Sequence, residues 1–228
     1  MKDENRVPPI KELKLRCKSI SRDPLIAVAY RRISIYLTWL ILHTPITANQ
    51  VTALEVIVSS GGSLFFLFKD PLYWVLGFLV LQLSIILDCT DGEVARYYKT
   101  FTHRAEQYGH IIKDIFFHSF VTLGLFLIFG NVIILIIGIL IIVCRIYLFI
   151  VLPKAILRMD RKRSLLAKIV TEIGGFFQFL IVPIILDILF GSAYFRLSFL
   201  VITGLIYLPM AVRIFNFQRS YKPKRENR

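Results

Sequence analysis

The stretch LYWVLGFLVLQLSIILDCTDGEVARYYK, Leu72–Lys99, is the most informative part of the chain, because a predominantly apolar run leads directly into acidic and basic residues. A transmembrane helix needs roughly 17–25 predominantly apolar residues, and Leu72–Asp88 meets that length. Carboxylates such as Asp88 and Asp91 are costly at the end of a membrane helix and need a reason to be there. We therefore predict a membrane-crossing helix that ends in a chemical site.

The composition of the whole chain agrees with a membrane protein. Its 228 residues are 56% hydrophobic and 19% charged, with a net charge of +13. A soluble domain is about 45–50% apolar and about 25% charged. Aromatic residues make up 14% of the chain, which excludes intrinsic disorder. A nucleic-acid partner is a poor explanation of the positive charge, because that charge flanks apolar runs of membrane length.

Five further apolar stretches lead us to predict an all-α, polytopic fold with six membrane helices. Besides the helix that starts at Leu72, the predicted spans are about Val51–Phe68, Ile111–Phe129, Val132–Leu152, Lys168–Phe190 and Tyr194–Phe215. Very tight turns on one side are predicted at Pro71, Gly130-Asn131 and Gly191-Ser192.

The apolar stretch Leu25–His43, upstream of these spans, carries Arg31 and Arg32. This pattern favours an N-terminal amphipathic helix lying in the membrane interface. A seventh span, the alternative, would bury both arginines or reverse the charge arrangement. The predicted organisation is a segment 1–43 with the interfacial helix, a six-span domain 44–216 and a basic tail 217–228.

The distribution of positive charge predicts how the bundle is oriented. Of the 28 lysines and arginines, all but Lys69, Arg145 and Arg196 lie within residues 1–43, 95–113, 153–168 and 213–228. Six spans place these segments on one side, and basic residues concentrate on the cytoplasmic side of membranes. We therefore predict a multi-pass protein of the cytoplasmic membrane, with both termini and the active site on the cytoplasmic side.

Five residues at the end of the second span share one helix face, because their spacing is i, i+3, i+4, i+7 and i+8. They are Asp88, Asp91, Gly92, Ala95 and Arg96. Two carboxylates one turn apart can share Mg²⁺ or Mn²⁺. The two small residues let a ligand approach the backbone, and the arginine is placed to meet a phosphate. We call these five residues the predicted nucleotide seat; the alternative is a set of helix-end residues in the headgroup layer.

The pattern D-x-x-D-G-x-x-A-R in Asp88–Arg96 resembles the first half of the signature of the CDP-alcohol phosphotransferase family. TPITANQVT, Thr44–Thr52, is similar to the TPxTPNxVT entry to that family's first membrane helix. The resemblance implies a membrane-embedded enzyme of phospholipid or polar-lipid biosynthesis. Such an enzyme transfers a phospho-alcohol from a CDP-linked donor to a hydroxyl acceptor, either lipid or polar, and releases CMP.

The same resemblance implies roles for the residues of the predicted nucleotide seat. The two aspartates would ligate the metal, the glycine and alanine would admit the cytidine nucleotide, and the arginine would meet its phosphates. Membrane lipids surround such a protein, and bundles of that family commonly form homodimers.

The sequence departs from the family signature at the start of the third helix, where G-x-x-x-D-x-x-x-D is expected. The first of these aspartates is a metal ligand and the last is the proposed general base. In the strict register the two positions hold Gly109 and Lys113. Sliding the register by five residues, since loops accept insertions, places Asp114 at the metal position and His118 at the base position. Histidine is a natural base near neutral pH, and both registers remain open.

A few other charged residues are candidates for function. Topology and attraction to anionic headgroups account for the basic loop after the fourth span, but a pocket for an acceptor or lipid phosphate is the alternative for Arg158, Arg161 and Arg163. Glu55 and the pair Arg145 and Glu172 lie within predicted spans, where charges usually face the bundle interior.

Three functions are compatible with these patterns. The transferase is the main prediction. A family member that binds nucleotide or a partner without turnover is the first alternative, and it is favoured by Gly109 and Lys113. A small ion-coupled transporter is a weaker alternative, because Asp88 and Asp91 lie at the membrane face rather than at its midplane.

Overall fold

The computed structural model describes residues 7–17, 25–100, 103–156 and 179–220. Within these ranges the regular structure is entirely helical, which confirms the all-α prediction. The helices are α1 (Ile10–Arg16), α2 (Leu25–Ile41), α3 (Ala48–Leu64), α4 (Pro71–Tyr98), α5 (His103–Phe129), α6 (Val132–Ile156), α7 (Ile181–Phe190) and α8 (Tyr194–Ser220). A 3-10 turn, Phe65–Leu67, follows α3.

Five of the described helices are long and apolar enough to cross a membrane, which confirms a multi-pass membrane protein. These segments are Ala48–Leu67, Pro71–Tyr98, Tyr108–Phe129, Val132–Val151 and Tyr194–Asn216. They correspond to five of the six predicted spans. Of the remaining predicted span, Lys168–Phe190, the structure describes the end, which is the shorter apolar helix α7; residues 168–178 lie outside the described ranges.

Helix α4 begins where the sequence places a tight turn. The side chain of Asp70 accepts a hydrogen bond from the backbone N–H of Leu72 (2.8 Å), as a helix-capping carboxylate does. Pro71 occupies the first helical position, where a missing N–H costs nothing. The helix then continues to Tyr98, so the predicted nucleotide seat lies on an unbroken helix.

The described part of the first compact unit, Met1–Leu64 and Leu76–Lys113, contains α1, α2, α3, most of α4 and the start of α5. Glu93 on α4 accepts hydrogen bonds from Ser34 Oγ (3.0 Å) and Thr38 Oγ1 (2.6 Å) on α2. All three side chains are buried. Because a buried carboxylate is stable only when hydrogen-bonded, this contact fixes α2 against the end of α4. Helix α2 matches the helix predicted in Leu25–His43, and its location in the membrane interface stays a prediction.

The second compact unit, Phe65–Val75 and Asp114–Arg228, includes helices α6, α7 and α8. In it, α8 packs against both α6 and α7. Gly130 and Gly191, which follow α5 and α7, adopt φ angles of 65° and 64°. Glycine reaches this left-handed region without steric cost, so the two predicted glycine turns are present in the structure.

Arg196 of α8 is a buried charge with several partners in the second unit. Its guanidinium lies 2.5 Å from the carboxylate of Asp187 and donates a hydrogen bond to the carbonyl of Lys69 (2.9 Å). It also lies over the ring of Trp74, 4.8 Å from the centroid. Arg196 and Asp187 are 3% and 4% exposed, so each charge depends on the other for compensation.

Replacing Arg196 with alanine is expected to destabilise the protein by about 3–5 kcal/mol, since Asp187 is left buried without a counter-charge. Thermal unfolding in detergent measures the loss. The double variant D187N/R196M should recover most of the stability because it removes both charges. Arg213→Met, at an exposed position of the same helix, is the control; an equal loss in R213M and R196A would contradict the assignment of a buried pair.

Candidate functional site

Helix α4 keeps the five residues of the predicted nucleotide seat on one continuous helix. Asp88, Asp91 and Gly92 are partly exposed, and Ala95 is buried. A β-carbon placed on Gly92 would lie 3.2 Å from the Arg96 guanidinium. Because Gly92 has no β-carbon, the arginine side chain can extend back along this face.

The two sequence motifs meet at Asp91. The hydroxyl of Thr52 on α3 donates a hydrogen bond to Asp91 Oδ2 at 2.6 Å. Thr52 is the last residue of TPITANQVT, and the same hydroxyl also contacts the carbonyl of Ala48 at 3.1 Å. Through this contact, a residue of the first motif orients a carboxylate of the second motif. The sequence marked Thr52 as part of a motif but gave no indication of this partner.

Lys113 of α5 lies at the same site, where it contacts Asp88, the other aspartate of the signature. Its ammonium is 3.1 Å from Asp88 Oδ1 and also pairs with Glu55 of α3. His110, one turn earlier on α5, has Nε2 at 3.6 Å from the same Asp88 oxygen. Glu55 is 1% exposed and also lies 3.4 Å from the hydroxyl of Ser84, which donates to it. The strict register therefore places a cation, rather than a carboxylate, beside Asp88.

Gly109 also lies beside the first motif. A β-carbon at this position would make ordinary contact with Thr52 Cγ2 at 3.4 Å and with Val56 Cγ2 at 3.5 Å. Both positions of the strict register, 109 and 113, therefore face α3. Neither can supply a metal-binding oxygen from its side chain.

Asp114 has a partner of its own in the second unit. Its Oδ2 lies 2.5 Å from Nη2 of Arg145 on α6, and the guanidinium lies over the Tyr207 ring at 4.7 Å from the centroid. The metal-ligand role of Asp114 stays a prediction. A metal ion would have to compete with Arg145 for this carboxylate. The sequence suggested Glu172 as a partner for Arg145; Glu172 lies outside the described residues.

His118 is buried near Asp114, one helical turn further along α5. It is 4% exposed, and its ring centroid is 6.4 Å from that of Tyr207. Its Nδ1 and the hydroxyl of Thr122, one turn deeper, have no hydrogen-bond partner among the described residues. The general-base role for His118 stays a prediction.

The remaining predicted site residues, Arg158, Arg161 and Arg163, lie outside the described residues.

Arg96, which the sequence assigns to a phosphate, donates from Nε to the backbone carbonyl of Cys17 at 2.9 Å. The contact ties the turn after α1 to the end of α4. Helix α1 itself was not predicted from the sequence.

The described residues contain no cluster of three or more His, Cys, Asp or Glu side chains that could hold a metal ion. Asp88 and Asp91 nevertheless fit a Mg²⁺ ion that takes its other ligands from a nucleotide. Mg²⁺ is commonly bound by one or two carboxylates together with substrate phosphates and water, rather than by a cage of protein ligands. A carboxylate that accepts one hydrogen bond keeps other lone pairs for a metal.

Comparison with known proteins identifies a family. The model of the family described as CDP-alcohol phosphatidyltransferase matches residues 45–212, which is most of the chain. The matched range begins within TPITANQVT and includes the whole predicted nucleotide seat, so the family resemblance deduced from the two motifs is confirmed. No curated protein matches the chain.

Replacing Thr52 with valine should weaken divalent-dependent CDP binding roughly 10-fold or more, because a hydrogen bond to a charged group is worth about 1.5–3 kcal/mol. Valine keeps the shape of threonine but cannot orient Asp91. Equilibrium dialysis with labelled CDP and Mg²⁺ measures the change. The control is Thr203→Val, whose hydroxyl bonds only a carbonyl of its own helix among the contacts described; equal CDP affinity in T52V and wild type would show that the Thr52–Asp91 bond does not support binding.

Proposed function

The chain belongs to the CDP-alcohol phosphatidyltransferase family, and from that we propose that it transfers a phospho-alcohol from a CDP-linked donor to a hydroxyl acceptor. The acceptor is a lipid or a polar alcohol, and CMP is the second product. The observation that carries the proposal is the contact between Thr52 and Asp91. This contact connects the two signature motifs through one carboxylate. All five residues of the D-x-x-D-G-x-x-A-R face are present in the chain.

In the proposed complex, the residues of the nucleotide seat bind and orient the donor. Asp88 and Asp91 would hold Mg²⁺ or Mn²⁺ together with the donor diphosphate. When bound, that ion supplies positive charge that stabilises the departing phosphate of CMP. The Arg96 guanidinium lies over Gly92 in the structure, so it would have to move aside, toward the donor phosphates, for the nucleotide to reach the backbone of α4 at Gly92 and Ala95.

The proposed reaction replaces the phosphoanhydride bond of the donor with a phosphodiester bond in the product. The acceptor oxygen forms a bond with the β-phosphorus, and the bond from that phosphorus to the bridging oxygen breaks, so that CMP leaves. The proton of the acceptor hydroxyl passes to a group on α5. The shifted register assigns the role of proton acceptor to His118. In the strict register the corresponding position holds Lys113, which lies beside the seat.

A second candidate function is nucleotide binding without turnover, and one observation favours it. Lys113 and Gly109 occupy the strict-register positions beside the seat, where the family signature has carboxylates. Such a protein would bind a cytidine nucleotide and act through a partner.

Exchange of radiolabelled CMP into a CDP-linked alcohol by purified membranes distinguishes the two functions. Asp91→Asn should abolish exchange, because it preserves shape but removes a charge from the metal ligands. Asp70→Asn is the matched control, since asparagine caps a helix as well as aspartate and Asp70 caps α4 at its opposite end. Exchange in the wild type that survives D91N would refute the seat, and CDP binding without exchange would favour the second candidate.

We further propose that both termini and the seat lie on the cytoplasmic side of the cytoplasmic membrane, because all but three of the lysines and arginines fall on one predicted side. A cysteine introduced as N131C should react with an impermeant maleimide only from outside the cell. The native background suits this test, since Cys17, Cys89 and Cys144 are buried. Burial also raises the pKa of Cys17 to about 11, which keeps it an unreactive thiol. Labelling of N131C from the cytoplasm alone would reverse the orientation.

A further inference from the structure

The contacts of Lys113 point to a function that the signature motif does not describe. We propose that Lys113 is a resident cation of the nucleotide seat, whose ammonium holds Asp88 and Glu55 and keeps divalent cations out until a diphosphate binds. The part played by the diphosphate rests on the proposed function. The exclusion of metal from the nucleotide-free protein rests on the contacts of Lys113 alone.

The first step concerns the charges that meet at the site. Glu55 and Asp88 both contact the Lys113 ammonium, and Asp91 lies one turn from Asp88 on α4. Glu55 is 1% exposed, and the side chain of Lys113 is 14% exposed. A buried carboxylate without a nearby cation is strongly destabilising. Lys113 therefore compensates Glu55 in the absence of any ligand.

The second step concerns the position of the ammonium. Lys113 Nζ is 3.1 Å from Asp88 Oδ1, which is within the range of a direct hydrogen bond. His110 approaches the same oxygen, with Nε2 at 3.6 Å. A metal ion bound through Asp88 would have to share this carboxylate with Lys113. Like charges at such short range repel, and the Lys113 side chain is only 14% exposed, so water screens its ammonium only in part.

The third step concerns the ligands that remain for a metal. Gly109 supplies no side-chain oxygen, and Asp88, one of the two signature aspartates, already pairs with Lys113. In the nucleotide-free protein a divalent ion would therefore have few protein ligands and a fixed positive neighbour. A diphosphate changes both conditions, because it brings oxygen ligands for the ion and negative charge that compensates two cations. Metal and nucleotide should consequently bind together.

Binding of Mn²⁺ alone to the full-length protein in detergent, followed by electron paramagnetic resonance, tests the proposal directly. The wild type should bind Mn²⁺ weakly in the absence of nucleotide. Lys113→Met should bind it about 10-fold more tightly or better, because a unit positive charge next to Asp88 is removed. Lys113→Arg, which keeps the charge, should resemble the wild type. Lys69→Met is the control, since it makes the same charge change at an exposed residue.

A second variant keeps the test decisive if K113M does not fold. In E55Q/K113M the buried pair is replaced by neutral groups, so that no carboxylate is left buried without a cation, while Asp88 and Asp91 remain. This double variant should also bind Mn²⁺ more tightly than the wild type. Equal Mn²⁺ affinity in the wild type and in every folded variant without a cation at position 113 would overturn the proposal. Tight Mn²⁺ binding by the wild type in the absence of nucleotide would also overturn it.

Repeating the titration with CDP separates this proposal from the proposed function. Added CDP should raise the Mn²⁺ affinity of the wild type to that of K113M or above. If Mn²⁺ binding increases in K113M but CDP binds to neither protein, Lys113 is confirmed as a resident cation and the nucleotide function fails. If CDP and Mn²⁺ bind the wild type independently, each with unchanged affinity, the coupling assigned to Lys113 is wrong.

Discussion

Carboxylates carried by helices that cross a membrane must each be held by a partner from another segment, and the structure depends on this constraint. On α4 the partners come from three segments. Asp91 is held by Thr52 of α3, Glu93 by two hydroxyls of α2, and Asp88 by Lys113 of α5. Because these contacts all converge on the last turns of α4, the requirement to compensate the carboxylates of this helix also assembles the candidate site.

The second unit obeys the same constraint with different partners. Asp187 lies against Arg196 between the end of α7 and the start of α8, and Asp114 lies against Arg145 between α5 and α6. The second pair has a consequence for chemistry. Asp114 and Asp88 both pair with a cation, whereas Asp91 accepts a hydrogen bond from a neutral hydroxyl. A metal ion bound through Asp114 or Asp88 would therefore have to share that carboxylate with the resident cation.

The membrane-length helices and the shared face at the end of α4 could be predicted from the sequence, because both depend on residues that are close along the chain. The bounds of the described spans follow from the apolar runs, and the D-x-x-D-G-x-x-A-R spacing places its residues on one side of α4. The identity of the third-helix group beside Asp88 could not be predicted in this way. It depends on how α5 is rotated against α3, and the loop between α4 and α5 permits more than one register. Glu55 was recognised as a charge within a span, but its pairing with Lys113 is a contact between helices that the linear pattern does not encode.

The most direct test of the nucleotide seat is anomalous diffraction from crystals of the full-length protein grown with CDP and Mn²⁺. A manganese peak within coordination distance of carboxylate oxygens of both Asp88 and Asp91, with the CDP phosphates on the same ion, is the expected result. A nucleotide bound away from α4, or a manganese peak that contacts neither aspartate, would contradict the assignment of this helix face as the nucleotide seat.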